Sequence, residues 1–121
     1  MRERPMKNFM AIYTGAPVAR AKWDTLSAAE RNKREAEGIA AWTSWGKKNA
    51  AAIVDSGGPL GKTKRVSPKG VTDISNAMAA YVIVRAESHE AAAKLFENHP
   101  HFTIFPGDAV EIMECLPLPG Q

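Results

Sequence analysis

Residues 78–85 alternate in direction without ever presenting a polar side. Met78, Ala80, Val82 and Val84 fall on one face, and Ala79, Tyr81, Ile83 and finally Arg85 on the other. A strand that is apolar front and back is one covered on both faces. Residues 6–14 read the same way, with Asn8, Met10 and Ile12 set against Phe9, Ala11 and Tyr13. Ala109 to Leu116 is predicted as a final strand of the same kind. Shorter strands are predicted at Ala51 to Asp55, Lys62 to Val66 and Val71 to Ile74. The last two join through the tight turn Pro68-Lys69-Gly70.

Two stretches switch to helical spacing. Ser27-Ala28-Ala29-Glu30 is a capping box, with Leu26 placed as its hydrophobic staple. The helix that follows, Ala28 to Lys48, carries opposite charges four apart at Glu30/Arg34, Arg31/Glu35 and Lys33/Glu37. Ile39, Trp42 and Trp45 form its apolar edge. Ser88 caps a second helix whose stripe is Ala92, Leu95 and Phe96, and Pro100 is predicted to end it by pushing His99 out of helical space. Gly15 to Trp23, Ser56 to Pro59 and Phe102 to Asp108 read as loops or turns.

The order strand, helix, strand with a hairpin, strand, helix, strand is a ferredoxin-like βαββαβ arrangement, an α+β fold with an antiparallel sheet. Right-handed crossovers put both helices on one face of it. The other face is then apolar and uncovered, and larger than the patches soluble monomers expose. A second copy packed sheet to sheet removes it, so a homodimer with a barrel-like interior is expected.

Composition changes little in this picture. The 121 residues fit one domain, 6–121, behind a charged lead-in, Met1 to Pro5, expected to be mobile. Sixteen Lys and Arg against 13 Asp and Glu give a net charge of only +3, which argues for neither nucleic acid nor membrane as a partner. No apolar run approaches a membrane span and the N-terminus lacks a signal-peptide core. The single Cys115 has no internal disulfide partner and is expected to be a buried, inert thiol in a cytoplasmic protein. Gly-Gly-Pro-Leu-Gly-Lys-Thr at 57–63 lacks phosphate-loop spacing and sets a proline where amides would be needed.

Five segments occur in a telling order: KNFMAIY, AWTSWGKKNAAAIVDSGGPLG, KRVSPKGVTDISNAMAAYVIVRAES, HPHF and VEIMECLPLPG. Together they resemble the YCII-related proteins, including the branch named for a DGPF motif. The resemblance implies the dimeric α+β barrel fold and covers nearly everything from Met6 to Gly120. Members of that group have been proposed to be enzymes through a His–Asp pair, the histidine lying on the first helix. Here Ala28 to Lys48 contains no histidine. The motif's aspartate corresponds to Asp73 in VTDIS, without the Gly-Pro-Phe.

Chemistry is concentrated at His99-Pro100-His101. Either imidazole suits acid–base work, with Asp73 as the orienting carboxylate. The bland alternative is a pair of rings bonding backbone carbonyls where a helix stops. A metal would need a third ligand such as Asp73, Asp108 or Glu111, and none is signalled by spacing, so neither metal nor cofactor is expected. His89, in the first turn of the second helix, is expected to be solvated. Trp42, Trp45 and Tyr81 are candidate walls of a ligand cleft, although core packing explains them as simply. The reading is a homodimer binding a small organic molecule between helix and sheet, with turnover left open and a lyase- or hydrolase-like proton transfer as the chemistry. A non-catalytic binding or regulatory module and a cofactor-free monooxygenase are the alternatives.

Overall fold

A computed structural model describes residues 5–120; the rest of the charged lead-in and Gln121 lie outside the described residues. The elements are β1 (Lys7–Thr14), α1 (Pro17–Asp24), α2 (Ala28–Lys48), β2 (Ile53–Pro59), β3 (Thr63–Ser67), β4 (Gly70–Ile74), β5 (Met78–Ala86), α3 (His89–Lys94), α4 (Pro100–Thr103) and β6 (Ala109–Glu114). Four strands form an antiparallel sheet in the order β2-β5-β1-β6, and β3 and β4 form a separate two-stranded sheet. That is the ferredoxin-like order expected of the pattern.

Register decides which residues share the covered face. Phe9 lies opposite Val84, Ala11 opposite Val82 and Tyr13 opposite Ala80, while Ala11 and Tyr13 also face Ile112 and Val110. Phe9, Ala11, Tyr13, Val82 and Val84 make the buried cluster together with Ala86, Ala92 and Phe96; Ala80, Val110 and Ile112 pack against it from the sheet, and Trp42, Trp45, Ala91 and Leu95 from the helices. The opposite face presents Met10, which register places beside both Ile83 and Met113, and Ile12 beside Tyr81. Met10, Ile12 and Ile83 are half-buried and Met113 is exposed.

Both helix starts follow the sequence. Ser27 Oγ accepts from the Glu30 amide at 3.1 Å, and Ser88 Oγ accepts from the Ala91 amide at 3.0 Å. Each satisfies an amide that a first helical turn leaves without a partner. Three connections differ from expectation. Gly15 to Trp23 is not all loop: Pro17 stands at the head of α1, where its missing amide costs nothing and its fixed φ suits a helix. Ser56 to Pro59 is not a turn but the irregular end of β2, with register slips around Asp55 and Gly58. Gly57 takes φ of 60° there, and its amide donates to Asp55 Oδ1 at 2.9 Å.

The third difference lies after β5. α3 stops at Lys94, and the chain turns through Asn98 at φ 57°. Pro100 then opens α4 instead of ending a helix, so the start of the expected loop Phe102 to Asp108 is helical. Two side chains also depart from expectation. His89 is not simply solvated, since its Nε2–H donates to the Ile112 carbonyl of β6 at 2.7 Å and its ring stacks on Phe9. Cys115 is exposed, not buried.

A side-chain bond ties α2 to the end of α3. Trp45 Nε1–H donates to the Leu95 carbonyl at 2.7 Å, just past the end of α3, where helix carbonyls lack intrahelical partners. Trp45→Phe keeps most of the ring and leaves that carbonyl unpaired. It is expected to lower stability by about 1–2 kcal/mol, read as a lower urea midpoint at unchanged slope.

Candidate functional site

The sheet face under α2 is not completely filled. Between α2 and the β2 side of the sheet lies a cleft of about 630 Å³. Ile39, Trp42, Thr43, Trp45 and Gly46 line it from the helix, and Ile53, Gly58, Pro59, Ala80, Tyr81 and Val82 from the sheet. Tyr13, His101 and Phe105 close its inner end. The wall is overwhelmingly apolar and aromatic, with few polar groups, which is the usual make-up of a small-molecule site. Ile39, although on the wall, is 62% exposed and sits at the rim.

The polar end is built by the residues around Pro100. The residue before a proline is driven to extended backbone, and His99 has φ −64° and ψ 142°. This makes it the N-cap of α4, and its Nδ1 accepts from the His101 amide at 3.0 Å. An amide only donates, so Nδ1 holds a lone pair and the proton of a neutral ring sits on Nε2. From there it donates to Tyr13 Oη at 3.3 Å. His99 is fully buried, with Trp42 and Trp45 edge-on to it at centroid distances of 4.5 and 4.7 Å.

His101 is fixed by the other end of the same loop. Its Nε2–H donates to the Thr14 carbonyl at 2.7 Å, and the Asp108 amide donates to that carbonyl at 2.9 Å. Gly107 donates its amide to the His101 carbonyl at 2.9 Å, and a Cβ at Gly107 would run into both that carbonyl and the imidazole. Only glycine permits this wrapping. The Thr14 bond leaves His101 Nδ1 with a lone pair. No hydrogen bond reaches that atom, and no buried side-chain polar atom among the described residues lacks a partner. His101 Nδ1 is therefore not completely sealed off.

Burial sets the charge states. It lowers the His99 pKa to about 4, helped by the nearby His101. Burial also lowers that of His101, against the opposing pull of the Thr14 bond and the Asp108 carboxylate. The Tyr13 phenol is pushed far above its ordinary value by burial alone. At neutral pH the three groups are an uncharged hydrogen-bonding set.

His99 and His101 are thus brought together, with Tyr13 between them at centroid distances of 5.1 Å to each ring. Trp42 and Trp45 reach the cleft from α2, and Tyr81 borders it on β5, although its register sets it with Ile12 on the other sheet face. Asp73 does not join them: it lies on the exposed β3–β4 hairpin, bonded to Lys64 Nζ at 2.6 Å. The carboxylate that acts on His101 is Asp108. Tyr13 and Phe105 were not singled out by the sequence. Tyr13 reads there as an ordinary inward strand residue, and Phe105 reaches the cleft only because α2 has Gly38, whose added Cβ would strike the Phe105 ring.

No family model matches the chain, and no curated protein matches it. Among solved structures it is similar to 5-chloro-2-hydroxyhydroquinone dehydrochlorinase from Burkholderia phenoliruptrix AC1100, in complex with 2,5-dihydroxybenzoquinone. The identity is 19% and the TM-score 0.50, over 88% of this chain and 90% of that one. Identity so low carries the fold: an α+β chain with an antiparallel sheet backed by helices.

Proposed function

We propose that this protein is a YCII-like small-molecule binder whose cleft takes a compact, largely apolar ligand and offers it His101 as a proton acceptor. The observation that carries this reading is a buried, neutral imidazole, one ring nitrogen free of any hydrogen bond, on the wall of the apolar cleft. A ligand hydroxyl would give its proton to Nδ1, leaving an oxyanion and an imidazolium. The Thr14 carbonyl holds the ring in place, and Asp108 stabilises the positive ring. His99 acts as a positioning residue through Tyr13, and Asp108 takes the part expected of Asp73. The similar dehydrochlorinase was solved with a small planar quinone, which makes phenols and quinones the first ligands to try.

A binding module without turnover is favoured by a different observation, the low basicity that burial imposes on both histidines. In either case we place the protein in the cytoplasm as a homodimer, paired through the sheet face that bears Met10, Ile83 and Met113.

Three outcomes test these statements. Small phenols are expected to raise the melting temperature of the wild type. His101→Gln keeps a donor for Thr14 but replaces the basic ring nitrogen with an amide that cannot take up a proton, and should weaken binding about tenfold, the equivalent of one good hydrogen bond. Ile39→Glu, at the exposed rim, should abolish binding without loss of fold. No ligand-dependent shift with any phenol or quinone would remove the reading.

The pH dependence of stability has a definite sign. His99 is near 4 folded and 6.5 unfolded, so the unfolded chain binds more protons between those values. Its contribution is complete above pH 6.5 and is lost as pH falls toward 4, by about 3 kcal/mol. His99→Asn retains a capping acceptor for the His101 amide and should flatten that part of a denaturation profile. Lastly, light scattering should give twice the chain mass, and Ile83→Lys should give a folded monomer.

A further inference from the structure

Two buried polar side chains line the cleft, Tyr13 at 2% exposure and His101 at 7%. The other polar side chains on its wall are less enclosed: Thr43 and Ser56 are exposed, and Tyr81 is half-buried on β5. Among the described residues, no Asp, Glu, Lys or Arg lines the space. A charge placed there would find no counter-charge, so the cleft favours a neutral molecule.

Tyr13 has a proton to give. The His101 amide occupies His99 Nδ1 at 3.0 Å, so the neutral His99 ring donates from Nε2 and the Tyr13 oxygen accepts, at 3.3 Å. That bond uses a lone pair of the phenol and leaves its own O–H. No acceptor for this proton is found among the described residues, and burial keeps it on the oxygen. A buried hydroxyl donor calls for an acceptor, because a hydrogen bond left unmade away from water is costly. His101 is the complement: its Nε2–H is taken by the Thr14 carbonyl, and its other ring nitrogen carries a lone pair. The two rings stand 5.1 Å apart between centroids, close enough for one small molecule to meet both. A plain phenol would answer only His101, and a plain ketone only Tyr13.

We propose that Tyr13 is a second ligand-binding group of the cleft, its O–H donating to a ligand carbonyl oxygen while His101 accepts from a hydroxyl on the neighbouring carbon. The ligand is then a neutral hydroxycarbonyl compound with an apolar body. This rests on the cleft being a ligand site and specifies what that site selects. It also gives His99 a definite part: by donating to the Tyr13 oxygen it strengthens the phenol as a donor and limits where its proton can turn.

Calorimetry on the full chain tests it with 2-hydroxy-1-phenylethanone, set against 2-phenylethanol, which lacks the carbonyl, and acetophenone, which lacks the hydroxyl. The hydroxyketone should bind about ten times more tightly than either. Its isotope-labelled carbonyl stretch, read by infrared difference spectroscopy, should fall below its position in an aprotic solvent when the wild type binds it. Tyr13→Phe should reduce the hydroxyketone to the affinity of 2-phenylethanol and leave 2-phenylethanol itself unchanged, a split that a general loss of structure would not produce. If that variant does not fold, the affinity ratios and the carbonyl stretch of the wild type decide. If the hydroxyketone binds no better than 2-phenylethanol, its carbonyl stretch stays at the aprotic value and Ile39→Glu removes both compounds, the Tyr13 assignment is overturned and the cleft reading stands. If none of the three binds and phenols also fail, both are overturned.

Discussion

The arrangement depends on one hydrogen bond between neighbours, from the His101 amide to the His99 Nδ1. It is made possible by Pro100, which holds His99 extended while allowing the next residues to wind into α4. By occupying Nδ1 it sends the His99 proton to Nε2, and so to the Tyr13 hydroxyl. The same turn aims His101 at the Thr14 carbonyl on β1. A local backbone preference thus determines where two imidazole protons lie and which nitrogen is left open.

Such a polar set is tolerated inside an apolar wall only because each buried atom has a partner. Keeping the rings neutral avoids the much larger cost of burying charge. Close packing supports this. The aromatic rings of Trp42, Trp45 and Phe96 surround His99, and Gly107 lets the Phe105–Asp108 segment lie against His101. The cleft lies in the other direction, between α2 and the irregular stretch of β2 that includes Gly58 and Pro59.

Much of this was legible beforehand, for identifiable reasons. Two-sided apolar strands and two serine caps specify the sheet and the starts of α2 and α3, because each rests on a local rule. The histidine pair was visible as chemistry for the same reason. Other features depend on contacts between distant segments. Pro17 reads as loop punctuation until Trp23 is seen buried at the end of a helix. Asp73 is an apt carboxylate by motif, yet the hairpin carries it to Lys64. Asp108 acquires its place only when β1 and the loop before β6 meet at the Thr14 carbonyl. Tyr13 carries no mark at all beyond inward alternation.

The two sides of the cleft differ in how freely they can change. Tyr13, His99 and His101 are interlocked and buried, so substitution there disturbs folding and chemistry together. Ile39 and Thr43, one turn apart on α2, border the same space yet are exposed and make none of those bonds. On the proposed reading, drift at this pair would redraw what the cleft admits while leaving the histidine end untouched. One exposed stripe of a single helix is therefore where relatives with the same inner residues would diverge in appetite.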